Sequence, residues 1–295
     1  MGFLNAFTDI TWVLSLRTDS LTDFFKLMPI LMHATFIFGT IAILFWLSPI
    51  RGLVDLAVTS CFSHLYINLL KVIFAQARPP VEYQLVPVSS QLGMPSGDAV
   101  FAVFFWMTIA TLVNSRTVRV LSLIIVVLIM VSRVYLGVHT PLQVIVGAIF
   151  GLILYFVHFS KPVQNVFELW FERGKVIYYC MTLAVMLGLV IMLFPAVVDV
   201  RIGVVIISSL IGLGIAATFG IVCREIDEVN VGRVIWGLLL SGAIYWAAFI
   251  VPDYYVEVLS GKINLTDFSK YALLTLNMYW FVPKTYGLFS KRSRY

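Results

Sequence analysis

Three short polar clusters interrupt an otherwise apolar sequence. The first is Lys71, followed by Arg78-Pro79; the second is Pro95-Ser96-Gly97-Asp98; the third is Ser132-Arg133, with His139 and Gln143 beyond it. Each cluster lies at an end of an apolar run, so all three can meet at one membrane face. Charges in hydrocarbon are costly, and an ionisable residue there points to function. Two arginines, one lysine and one histidine in one place make an oxyanion pocket. A phosphate suits it better than a carboxylate, because a phosphate uses several donors at once.

The spacing within each cluster carries its own chemistry. Lys71 and Arg78 are nearly two helical turns apart, about 10 Å of rise, on almost the same face. That spacing predicts Lys71 inside the membrane boundary and Arg78 at the helix exit, with Pro79-Pro80 as the stop. Taken alone, the pair equally suits a snorkelling lysine and an interfacial arginine. Pro95-Ser96-Gly97-Asp98 opens the next apolar run. Pro and Ser suit a first helical turn, and Gly admits a close backbone approach. The free N–H groups there form an anion site, to which Ser96 can add a hydroxyl; taken alone, the cluster is an ordinary capped start. In the third cluster Gln143 follows His139 by one turn if a helix begins near Thr140-Pro141. Its side-chain carbonyl can accept the proton of one imidazole nitrogen and leave the other nucleophilic. Alone, this is a satisfied histidine in a polar turn. His33, His64 and His158 sit singly in apolar runs and read as structural, although His64 shares the face of Lys71.

The elements that position these clusters follow from composition. The chain has 295 residues, of which 61% are hydrophobic and 12% charged. The mean hydropathy is +0.98. A soluble domain carries about twice that charge fraction, and runs of about 20 apolar residues are long enough to span a bilayer. The expectation is an all-α, polytopic transmembrane helical bundle of about nine spans. They fall near 28–48, 53–76, 98–114, 118–137, 141–159, 176–197, 202–222, 234–252 and 270–289. Residues 3–16 read as an interfacial helix. The chain divides into an N-terminal interfacial segment (1–27), a transmembrane core (28–160), a charged cytoplasmic linker (161–175) and C-terminal transmembrane helices (176–295). The last are expected to supply no catalytic residue. Cys61, Cys180 and Cys223 suggest neither a disulfide framework nor a zinc site. Asp9 and the lack of a basic start predict no cleavable signal peptide.

The net charge of +5 is a membrane signature rather than a nucleic-acid one, because basic residues concentrate on the cytoplasmic side. If successive runs alternate direction, most basic residues outside the clusters share one side. The clusters then face the opposite, non-cytoplasmic space.

In this order the clusters resemble the type 2 phosphatidic acid phosphatase superfamily. That group includes lipid phosphate phosphatases, bacterial undecaprenyl pyrophosphate phosphatases, glucose-6-phosphatase and vanadium haloperoxidases. Its signature is K-x6-R-P, then P-S-G-H, then S-R-x5-H-x3-D. Lys71 to Arg78-Pro79 matches the first part fully, and Ser132-Arg133 to His139 matches the third. The resemblance covers roughly residues 28–160. It implies that Lys71, Arg78, Arg133, Ser96 and the Gly97 N–H bind phosphoryl oxygens. It also implies that His139 attacks phosphorus, and that water then releases phosphate from a phosphohistidine. No metal or other cofactor is implied, because the cationic side chains stabilise the charge.

Two positions depart from the signature. Gln143 stands where most members have the Asp that orients the nucleophile; glucose-6-phosphatase is similar to this chain there. Asp98 stands where the family has the histidine that protonates the leaving group. An Asp beside two arginines is a poor acid at neutral pH. It implies weak catalysis, an acid optimum, or substrates whose leaving group needs no proton. The resemblance thus implies an integral-membrane phosphatase for a lipid phosphate or pyrophosphate, of the phosphatidate or undecaprenyl pyrophosphate type. It would sit in a bacterial inner membrane with its site towards the periplasm. The alternatives are a phosphotransferase of the same fold and a catalytically impaired lipid-phosphate binding or transport protein.

Overall fold

The computed structural model describes residues 8–47, 51–88, 90–172, 231–250, 255–258 and 261–264, with isolated positions at 207, 272–273, 275–277 and 282. Its helices are α1 (Thr11–Leu14), α2 (Asp19–Leu27), α3 (Ala34–Leu47), α4 (Arg51–Phe74), α5 (Gly97–Val113), α6 (Arg116–Tyr135), α7 (Pro141–His158), α8 (Lys161–Glu172) and α9 (Val231–Ile250). Short 3-10 turns cover Met28–Met32 and Val81–Tyr83. Beside the helices and their connecting loops, the described residues hold one antiparallel strand pair. It pairs β1 (Tyr255–Val258) with β2 (Gly261–Asn264) in the register Tyr255↔Asn264 to Val258↔Gly261.

Three helices, α4, α6 and α7, are long and apolar enough to cross a membrane. A fourth span results if Asp19–Met32 and Phe36–Leu47, separated by a break, count as one. The expected nine is therefore not reached among the described residues. α5 is a turn short of a full span at 17 residues. The run at 176–197, all of 202–222 but position 207, and most of 270–289 lie outside the described residues. The start of the expected interfacial helix, 3–7, lies outside the described residues; within its remainder α1 covers Thr11–Leu14, with Asp9 accepting from the N–H and hydroxyl of Thr11.

Contacts divide the chain into two units, residues 1–37 with 62–163, and residues 38–61 with 164–295. In the second unit Arg51 links the buried Asp55 at 3.6 Å to Glu168 at 3.4 Å. The first unit holds all three polar clusters. α5 is its axis, buried along its length between α6 and α7. Its two neighbours show apolar side chains outwards, including Leu121, Ile124 and Val127 on α6 and Ile149, Leu152 and Phe156 on α7. Such a surface carries no penalty against lipid tails, which are as apolar as the side chains themselves. Asn114, at φ 52°, closes α5, and Ser115 opens α6 immediately.

Two glycines one turn apart set the α5–α7 distance. A Cβ on Gly147 would lie 2.7 Å from the Ser96 carbonyl oxygen, and one on Gly151 would lie 2.5 Å from that of Val100. Small residues at this spacing let helix backbones approach closely in a membrane. Gly151→Ala decides between two effects. Removing a mid-helix glycine stabilises by about 1 kcal/mol, whereas overpacking costs typically 1–3 kcal/mol. The obstructing atoms here are backbone and a Cβ, which cannot rotate away, so a lowered melting midpoint in detergent is expected. An unchanged or raised midpoint would contradict this packing.

Candidate active site

The first cluster comes from the end of α4. Lys71 lies in its last turn, and its Nζ is 4.0 Å from where a Cβ on Gly97 would stand. The lysine therefore reaches the start of α5, where a Cβ on Gly97 would stand 3.0 Å from the Ile67 side chain. The expected continuation of this helix to Arg78 is corrected. α4 ends at Phe74, and Ala75 turns the chain at φ 46°. Ala77 pairs with Leu92 as an isolated antiparallel bridge, and the Arg78 N–H donates to the Gln91 carbonyl. Arg78 thus projects from a loop held at both ends, not from a helix face.

That loop delivers Arg78 to the third cluster. Its Nε donates to the Ser90 carbonyl at 2.6 Å. Its Nη1 donates to the Val138 carbonyl at 2.9 Å and lies 2.9 Å from His139 Nε2. A guanidinium has no acceptor, so His139 Nε2 is the lone-pair side of the ring. The proton then sits on Nδ1, which donates to Gln143 Oε1 at 3.2 Å. Gln143 is fixed in turn. Its Oε1 also accepts the Thr140 N–H, completing a capping box at the start of α7. Its Nε2 donates to the Ala77 carbonyl at 2.8 Å and to Gln76 Oε1 at 3.4 Å. Reversing the amide would set donor against donor at Thr140, so the network assigns both the amide orientation and the imidazole tautomer. Burial first, then the neighbouring Arg78 charge, hold the His139 imidazole well below its ordinary pKa.

The second cluster completes the arrangement. Ser96 is the N-cap of α5, and its backbone N–H donates to the Gln143 carbonyl. Its hydroxyl is fully buried without a hydrogen-bond partner, and so is Nη2 of Arg133. An orphaned buried polar atom costs about 1–3 kcal/mol. Two such donors, one of them at a helix N-terminus, are therefore suited to an anion. Arg133 Nη1 donates to Asp98 Oδ2 at 2.9 Å. Asp98 interacts electrostatically with Lys71, Arg78 and His139 as well. Lys71, Arg78, Ser96, Gly97, Asp98, Arg133, His139 and Gln143 are thus brought to one place. Three cations and one carboxylate leave it electropositive.

The family model described as PAP2 superfamily matches residues 52–167. This part of the chain belongs to the PAP2 superfamily. The superfamily supports a phosphoester hydrolase role, and with the apolar helices it marks an integral membrane protein. No curated protein and no solved structure matches the chain. The PAP2 segment contains all three clusters and ends within α8.

Two residues around the PAP2 site escaped the sequence. Gln76 supports Gln143, and its only signal is a polar side chain just past an apolar run. Arg17 donates to the Tyr83 carbonyl at 2.7 Å and to the Tyr135 carbonyl at 3.0 and 3.2 Å. It ties the Arg78 loop to the His139 loop across Gly137, whose φ of 74° suits glycine. Behind this clamp Val13, Phe25 and Met28 pack on Tyr135, Leu136 and Val138. No sequence signal announces Arg17, because its partners lie 66 and 118 residues away.

The network sets an expectation for position 143. Gln143→Ala should reduce turnover roughly 10–100-fold, the usual cost of losing a partner that orients a histidine. Gln143→Asp should not restore it, since a carboxylate would face the Ala77 carbonyl and Gln76 Oε1. Turnover in Gln143→Asp at or above that of the unaltered chain would refute this account.

Proposed function

We propose that the protein is an integral-membrane phosphatase that cleaves a lipid phosphate or diphosphate through a phosphohistidine on His139. One observation carries the reading: an imidazole whose Nε2 lone pair meets Arg78, with Lys71 as a further cationic neighbour, in a unit that also holds two buried donors without partners, Ser96 Oγ and Arg133 Nη2. The phosphoryl group would take the Arg133 Nη2, Ser96 hydroxyl and helix N–H contacts, with Lys71 and Arg78 balancing its charge. In taking the Arg78 N–H groups it would release Nε2 to attack phosphorus. The bond to the leaving oxygen breaks, and its electron pair leaves with that oxygen. Water then attacks the phosphohistidine, the P–N pair returns to Nε2 and phosphate departs. This is positioning and charge stabilisation around a covalent carrier.

Clusters at helix ends suit a head group at the interface and an acyl or prenyl chain between helices. The distribution of basic residues favours the non-cytoplasmic face, the periplasm for a bacterial inner membrane. The test is phosphate release by the detergent-purified chain, with chelator present, from phosphatidate and a polyprenyl diphosphate. Release from at least one is expected, and none from either between pH 4 and 8 would overturn the reading.

A further inference from the structure

We propose that this site selects lipid diphosphates over lipid monophosphates, because Asp98 acts as a base and not as the acid for the leaving group. This rests on the phosphatase reading above and narrows it to one substrate class.

The argument begins with the ion pair. Asp98 Oδ2 accepts a hydrogen bond from Arg133 Nη1 at 2.9 Å, with Lys71 and Arg78 as further cationic neighbours. A carboxyl that accepts a charge-assisted hydrogen bond is present as carboxylate and carries no proton to give. The Arg133 side chain is 7% exposed, but that of Asp98 is 36% exposed. The carboxylate is therefore the more open member of the pair. Among the described residues, no protonated carboxyl or imidazolium stands in the cluster to give that proton. Lys71 and the arginines bind phosphoryl oxygens as cations, and the His139 Nδ1 proton is held by Gln143.

Leaving-group chemistry then separates the substrates. Breaking the P–O bond of a lipid monophosphate expels an alkoxide, whose conjugate acid is about as weak as water. Without a proton that step loses the roughly 10²–10⁴-fold contribution of general acid catalysis. Cleaving the terminal phosphoryl of a lipid diphosphate expels a phosphate monoester, whose conjugate acid has a pKa of about 6. It leaves as a stable anion, and no proton is required. In the second half of the cycle the demand reverses. Water attacking the phosphohistidine must lose a proton, and the Asp98 carboxylate can accept it. The proton then passes to solvent or to the departing phosphate. Summed over both halves, a lipid diphosphate and water give a lipid monophosphate and inorganic phosphate.

The experiment compares a polyprenyl diphosphate with the monophosphate of the same polyprenol, at pH 7 in detergent, for the unaltered chain and Asp98→His. The unaltered chain should prefer the diphosphate by at least about 100-fold in kcat/KM. Asp98→His should raise monophosphate hydrolysis at least about tenfold and shrink that ratio, since an imidazole can donate the proton. Should Asp98→His fail to fold, Asp98→Asn serves instead. It should show a burst of about one lipid monophosphate per chain from the diphosphate, followed by slow turnover, because the base for the second half is gone. Comparable rates on both substrates would overturn the inference while leaving the phosphatase reading intact. So would an unchanged ratio in folded Asp98→His, or unaltered steady-state turnover in Asp98→Asn. Hydrolysis of neither substrate by the unaltered chain would sink both.

Discussion

His139→Ala should remove phosphate release altogether, with a loss on the order of 10⁶-fold, the scale seen when a covalent nucleophile is deleted. The ring is buried, and its Nε2 is held as an acceptor by Arg78 on one side and Nδ1–H···Gln143 on the other. Among the described residues of the cluster, none offers a comparable lone pair. Labelled substrate should also leave acid-labile phosphate on the unaltered chain and none on His139→Ala. Full activity in His139→Ala would overturn the mechanism. The pH dependence has a definite sign. Burial and the Arg78 and Lys71 charges lower the folded-state pKa of His139, against the smaller opposing pull of Asp98. The imidazole therefore stays neutral, and nucleophilic, below its ordinary value near 6.5. The unfolded chain takes up that proton first as pH falls. This contribution to stability is complete above about 6.5 and is lost progressively below it. Activity measured with pH should thus persist on the acid side further than free imidazole would allow.

Arg78→Met is expected to cost about 10³-fold in kcat/KM, and Arg78→Lys about 10²-fold. Removing one preorganised donor from a developing oxyanion costs roughly 10²–10³-fold, and Arg78 does more than donate. Its fork holds the Ser90 and Val138 carbonyls together, and so joins the loop after α4 to the loop after α6. An ammonium supplies the charge but not a rigid fork that spans both carbonyls. Arg78→Met should also move the acid limb of the pH profile towards neutral, because one of the charges opposing protonation of His139 is gone. Equal losses for Lys and Met would mean that the charge adds nothing beyond the fork, and an undiminished Arg78→Lys would mean that the fork contributes nothing. No loss in either would remove Arg78 from the site.

Much of this arrangement was legible in the sequence. The runs at 53–76, 98–114, 118–137 and 141–159 correspond to α4, α5, α6 and α7 within two residues at each end. Apolar length and polar interruptions carry that information locally. Gln143 was legible as the partner of His139 because one helical turn fixes the pair. Arg78 was misplaced on a helix because the break at Ala75 is set by pairing with Leu92, a contact that no local pattern encodes. Arg17 and Gln76 were missed for a related reason: each satisfies carbonyls or amides brought near it only by folding. The hairpin at 255–264 was passed over because four-residue strands carry too little periodicity to register.

Gln143 uses all of its amide at once, two acceptances on the oxygen and two donations from the nitrogen. Gly93 leaves it the room, since a Cβ there would stand 2.7 Å from Gln143 Nε2. Positions 76, 93 and 143 are therefore coupled, and a change at one disturbs the fit of the other two. An aspartate at 143 would leave the Ala77 carbonyl and Gln76 Oε1 facing a carboxylate, so it could be accommodated only together with changes around it.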